Sequence, residues 1–234
     1  MRSIMTFVTG ALLCVPAMYA TTIVNTSGNL TGGDSIDAQA AFTFGNGTIQ
    51  ITLTNLITDQ TDVGQDINGI SFTIPGTYGA NIGLVSTFSA TDRSNINVNV
   101  AGGWSSAADS TNHWLFTNAS NNFDLTTIGN PGAQYTIIGG PNSGNNEYTN
   151  ANGSLKPGNP HEPFLAVSAT WTLSVAGVTA ADEASLSNVM FSFGTAANEG
   201  GAQTGHSSTV PEPMSLALMG GGLLLIGMYR KFTR

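Results

Sequence analysis

The chain has 234 residues, carries 6 basic against 14 acidic side chains, and has a net charge of −8. Arg2, Arg230, Lys231 and Arg234 stand at its two ends, which leaves Arg93 and Lys156 to face all the acids. Such a distribution excludes the basic footprint of a nucleic-acid-binding protein, and the one cysteine, Cys14, excludes an internal disulfide.

Residues 1–20 have the form of a secretory signal peptide. Arg2 is the only charge, an apolar run extends from Ile4 to Val15, and small residues lead to Ala20. Cleavage is expected after Ala20, with Ala17 as the alternative. Leu13 is too large for the position before a lipidated cysteine, so lipidation is the minor reading and Cys14 is expected to leave with the leader. The exported chain then lacks cysteine and depends on its apolar core alone.

From residue 21 to 193 the pattern is alternation. Ile49, Ile51 and Leu53 share one face, as do Ile70, Phe72 and Ile74, then Ile96, Val98 and Val100. The longest run is Leu165, Val167, Ala169, Trp171, Leu173 and Val175, and Val189, Phe191 and Phe193 close the series. A period of two buries one face of a strand and wets the other. Asn46-Gly47 between Phe42/Phe44 and Ile49/Ile51 is a hairpin signal. About nine or ten strands are expected, arranged as an all-β, antiparallel β-sandwich ectodomain. Ala180 to Leu186 is the best candidate for a short helical turn. Residues 129–163, rich in Gly, Asn and Pro, read as a long loop or insertion. Residues 194–209 read as a flexible stalk.

Within the body, four groupings have chemical potential. Asp59, Asp62, Asp66 and Asn68 offer oxygen ligands within ten residues, a weak calcium candidate without the acidic twelfth position of an EF-hand. A solvated acidic turn is the simpler reading. Trp104 and Trp114 lie among polar residues, where exposed rings stack on sugars, though partial burial in the sandwich is the favoured reading. Gly103-Trp104-Ser105-Ser106-Ala107 approaches a nucleophile elbow, but Ala107 stands where glycine is required and no helix follows. His113, His161 and His206 show no metal-ligand spacing. No catalytic set, metal site or cofactor is expected from these residues.

The C-terminal segment, 210–234, is more specific. Pro211-Glu212-Pro213 is an extended tripeptide, because each proline restricts the residue before it. An uncharged stretch, 214–229, follows, and the basic residues Arg230, Lys231 and Arg234 end the chain. As a helix, 214–229 spans about 24 Å against about 30 Å of hydrocarbon, a short transmembrane segment. The basic end would remain cytoplasmic.

These three parts in order resemble the PEP-CTERM sorting signal of Gram-negative bacteria. The resemblance implies processing by exosortase, a membrane transpeptidase-like enzyme, after transient anchoring in the inner membrane. It also implies a setting of exopolysaccharide or biofilm matrix. The pairing of Phe42 to Asn55 with Val189 to Thr195 looks, more loosely, like β-rich ectodomains of sorting-tagged proteins. The functional expectation is an exported, non-enzymatic protein at the cell surface or in the extracellular matrix. A carbohydrate-binding module is the alternative, and a secreted hydrolase is the weaker one.

Overall fold

The first three strands form a meander: β1 (Thr21–Asn29), β2 (Ser35–Gly45) and β3 (Thr48–Asn55). They begin the body in the computed structural model, which describes residues 21–30, 32–76, 78, 82–85, 94–108, 112–119, 121–127, 134–158, 160–196 and 203–209. These all fall in one compact unit, Ala20–Pro211. Next come β4 (Ile67–Thr73), β5 (Ile82–Val85), β6 (Ser94–Val98), β7 (Trp104–Ala108), β8 (Leu115–Ala119) and β9 (Asn122–Thr126). The series ends with β10 (Ile137–Ile138), β11 (Phe164–Ala166), β12 (Ser168–Val175), β13 (Ser187–Phe193), β14 (Gln203–Thr204) and β15 (His206–Thr209). Two 3₁₀ turns, Val63–Gln65 and Ala180–Ser185, are the helical elements described, and the second falls where the short turn was expected.

The strands form two sheets, one ordered β15-β1-β2-β3-β12-β5 and the other β14-β13-β4-β10-β11-β6-β7, with the β8–β9 hairpin joined to β4. Strand pairing is antiparallel except between β10 and β11. The all-β, antiparallel expectation therefore holds. Asn46-Gly47 closes β2 onto β3, with Gly45 opposite Thr48 and Gly47 at φ 78°.

Alternating side chains from both sheets meet in one large core. Phe42 of the first sheet meets Phe72 of the second edge-on at 5.1 Å, and Trp114 lies 4.5 Å from Trp171. Each large apolar side chain buried here contributes roughly 1.5–3 kcal/mol, which is how a chain without disulfides holds together.

A second, smaller core lies elsewhere, formed by Val63, Val98, Ile138, Tyr148, Ala151, Leu155 and Phe164. The short pair β10–β11 divides the two. Ile137 and Leu165 belong to the large core, whereas Ile138 and Phe164 belong to the small one. The region read as a loop, 129–163, thus includes a packed layer. Its apolar residues are too scattered to show a period.

Three other expectations change. The long run from Leu165 to Val175 is two strands in different sheets, because Val167 breaks the pleat at φ 40° and is exposed. A β-branched residue at positive φ is strained, so this crossover is imposed by the packing on either side. Val100 is 75% exposed, because β6 ends at Val98 and the Asn99–Gly103 turn carries the chain outward. The segment read as a stalk supplies β14, paired with β13, and β15, paired with β1. Its residues are small and polar, and edge pairing needs main-chain groups more than apolar side chains.

Candidate functional site

A solvent-open cleft of about 330 Å³ lies where four connecting segments meet. Asp34 comes from the β1–β2 turn, Asp62 from the first 3₁₀ turn, Asn152 and Ser154 from the segment after β10, and Thr195 from the chain after β13. Leu30 and Val63 supply apolar lining.

Local hydrogen bonding fixes these groups. The β1–β2 turn is closed by the Leu30 amide donating to the Asp34 carbonyl at 2.8 Å, with Gly33 at φ 95°. Asp62 Oδ1 accepts from the Gly64 amide at 2.6 Å, and Gln65 Oε1 accepts from the Thr61 amide at 2.6 Å. The Asp62 amide also donates to Gln65 Oε1 at 3.3 Å, which completes a capping box at the 3₁₀ N-terminus. Ser154 Oγ accepts from the Val63 amide at 3.0 Å and donates to Asn152 Oδ1 at 2.6 Å. The cleft offers carboxylate, hydroxyl and amide groups on a fixed frame, and no histidine is among the described residues that line it. These groups can donate and accept hydrogen bonds.

The acidic cluster behind the cleft is built differently from either sequence reading. Asp59 is 8% exposed and at φ 53°. Its carboxylate accepts from Thr149 Oγ1, from the Asn150 amide at 3.0 Å, from Asn150 Nδ2 at 3.1 Å and from Asn142 Nδ2 at 3.0 Å. Burial pushes its pKa up, but the hydrogen bonds from Thr149, Asn150 and Asn142 together outweigh burial and hold it below the usual range.

Asp66 is fully buried. Thr136 Oγ1 donates to its Oδ2 at 2.7 Å, and Gln60 Nε2 donates to its Oδ1. The Gly139 amide donates to Gln60 Oε1 at 2.7 Å, which fixes the orientation of the Gln60 amide. Tyr148 completes the network by donating to the Gly139 carbonyl at 2.7 Å. Burial, with the Asp62 charge adding to it, drives Asp66 up to about 7 despite the two donors. The Tyr148 phenol is raised as well, by burial first and then by the Asp66 charge. Asn68 Nδ2 donates to the carbonyls of Gly194 at 2.8 Å and Ala196 at 3.0 Å.

The calcium reading of Asp59, Asp62, Asp66 and Asn68 fails on this geometry. Asp59 fastens the 142–150 segment, Asp62 caps a turn, Asp66 ties β4 to Thr136, and Asn68 holds the chain after β13. Among the described residues no group of three or more His, Cys, Asp or Glu side chains converges as a metal site. The solvated-turn reading changes too, since Asp59 and Asp66 are buried.

Trp114 is corrected as a sugar contact. It is 2% exposed, packs on Trp171, and donates from Nε1 to the Tyr135 carbonyl at 2.8 Å. A ring buried on both faces cannot be a stacking platform. Trp104 is half-buried beside the small core and donates from Nε1 to the Asn146 carbonyl at 3.0 Å. Ser105 lies within β7 opposite Asn97, so it occupies no strand-to-helix turn. His113 stacks on Tyr135 with ring centroids 3.4 Å apart, His161 precedes the cis Glu162–Pro163 bond, and His206 opens β15.

The leader with Ala20, the motif Pro211, Glu212 and Pro213, the segment 214–229 and the basic residues Arg230, Lys231 and Arg234 lie outside the described residues. Among the described residues no helix is long and apolar enough to cross a membrane. Gln60, Thr136 and Tyr148 form the polar network without any local sequence signal, because each is an ordinary polar residue until the fold brings them together. Compared with protein-family models, with curated proteins and with solved structures, the chain matches none.

Proposed function

We propose that this chain is an exported, non-enzymatic protein with a β-sandwich ectodomain, displayed at the cell surface or held in an exopolysaccharide matrix, and sorted by its C-terminal signal. One observation carries the reading: Pro211-Glu212-Pro213, the apolar stretch 214–229 and Arg230, Lys231 and Arg234 occur in that order at the chain end. The partner is an exosortase-type membrane enzyme, with the inner membrane as a transient anchor. The leader ending at Ala20 and the cysteine-free, acidic body support the same route. Intact-mass measurement on protein from the native host tests it. The expected mature form starts after Ala20 and lacks the basic end, and a chain still ending at Arg234 defeats the proposal.

The cleft favours one second reading, a surface module for polyhydroxylated ligands. Asp34, Asp62, Asn152 and Ser154 supply hydrogen-bonding groups on fixed turns. Glycan-array binding by the folded body, lost on Asp34→Ala, tests this reading, and silence across the array removes it.

A further inference from the structure

The last described segment, Gln203–Thr209, crosses from one sheet to the other. β14 pairs with β13 through Met190–Thr204 and Phe191–Gln203, and β15 pairs with β1 from Thr22–Thr209 to Asn25–His206. Both are outermost strands, of two and four residues. The sequence Gln-Thr-Gly-His-Ser-Ser-Thr offers no large apolar side chain, so main-chain pairing at two sheet edges is its principal hold. Gly205 is the crossing point. Its amide donates to the Val189 carbonyl at 2.9 Å, and a Cβ there would lie 2.4 Å from Val24 Cγ1 and 3.1 Å from Phe191 Cε2. Only glycine lets the chain pass.

This pairing shortens the tether. Val210 to Pro213 are all that separate β15 from the apolar stretch in the sequence, a linker of four residues whose full extension is about 17 Å. With β14 and β15 detached, the tether starts near Ala196 and its reach to Met214 rises to about 60 Å. A membrane enzyme that grips an extended tripeptide has little clearance in the first state and ample clearance in the second.

We propose that Gln203–Thr209 is a releasable clasp that sets the access of the processing enzyme to Pro211-Glu212-Pro213. The inference rests on the sorting reading above. Cleavage then tracks the population of the open clasp, as for any substrate that must open before it is cut.

The test uses the whole chain in its native host. Ile23 and Ser208 are register partners, and the exported chain has no other cysteine, so an Ile23→Cys/Ser208→Cys variant locks β15 onto β1. Locking is expected to slow conversion to the mature mass by about tenfold or more, while each single-cysteine variant converts normally. A flexible insert of about twelve Gly/Ser residues between Thr209 and Val210 should restore conversion in the locked background. Gly205→Val, which weakens docking at the crossing, should convert faster than the parent. Normal conversion with the disulfide formed overturns the clasp, as does failure of the two cysteines to pair. If the parent chain is not processed at all, the sorting reading falls, and hydrogen exchange on the full-length chain decides the clasp separately. The amides of 206–209 should exchange about a hundredfold faster than those inside β2 and β3, and equal protection overturns it.

Discussion

Thr22 and Thr209 stand opposite each other in β1 and β15, so the first and last described strands lie side by side at one edge of the six-stranded sheet. Thr22 is two residues beyond Ala20, and Thr209 is two residues before Pro211. On the sorting reading proposed above, both expected processing junctions lie within a few residues of this register pair in the sequence.

Adjacent ends predict tolerance of circular permutation. A permutant joining Thr209 to Thr21 through a short Gly/Ser linker, opened at the β8–β9 turn, should fold. Its circular dichroism spectrum should match the parent body, with a melting temperature lower by only a few degrees. Loss of cooperative unfolding would show that the pairing of β1 with β15 is not formed in solution.

Asp66 predicts a pH dependence. Its folded pKa, about 7, lies above the ordinary 3.8, so the fold favours the protonated acid. The associated stability is complete below about pH 4 and is lost as pH rises through 7, with a slope of up to about 1.4 kcal/mol per pH unit. Asp124 and Glu162 are raised by burial and act in the same direction, whereas Asp59, held low, favours folding above its own range. Asp66→Asn isolates the effect, because Oδ1 still accepts from Gln60 and Nδ2 donates to the Thr136 hydroxyl. Urea titrations from pH 4 to pH 8 should show a smaller decline in the variant, and parallel declines would refute the assignment.

Tyr148→Phe removes one buried hydroxyl that donates to the Gly139 carbonyl and leaves the ring in the small core. A loss of about 1–2 kcal/mol is expected in equilibrium denaturation. Faster proteolysis should begin within 142–158, since that segment is the layer Tyr148 anchors. Uniform susceptibility along the chain would argue against a separately opening layer.

Trp114→Ala should cost about 3–5 kcal/mol, since it empties a site against Trp171 and leaves the Tyr135 carbonyl without its donor. Trp104→Ala should cost visibly less, being half-buried at the margin of the small core. The order of the two melting temperatures checks this, and a Trp104 variant as unstable as the Trp114 variant would contradict the burial pattern.

Alternation made the meander and the late strands legible, since Ile49, Ile51 and Leu53 or Trp171, Leu173 and Val175 advertise one buried face each. The crossover at Val167 was hidden because a single left-handed residue preserves the alternating composition while redirecting the strand. The small core was hidden for a different reason. Val63, Val98, Tyr148 and Leu155 come from separate segments and share no period. Asp59 and Asp66 were visible as carboxylates, but their donors Thr149 and Thr136 lie 90 and 70 positions away. The cleft was illegible, because turns from four segments create it. The C-terminal motif was read from local residue order alone.

The two-residue pairing of β10 with β11 has a further consequence. Ile138 and Phe164 are buried in the small core, to which the glycine- and asparagine-rich segment contributes Tyr148, Ala151 and Leu155 beside Val63 and Val98. Were that layer to lift, a bare apolar strand pair would face solvent and invite other copies to stack on it. The least core-like stretch of the sequence therefore helps to keep apolar strand surface out of solvent.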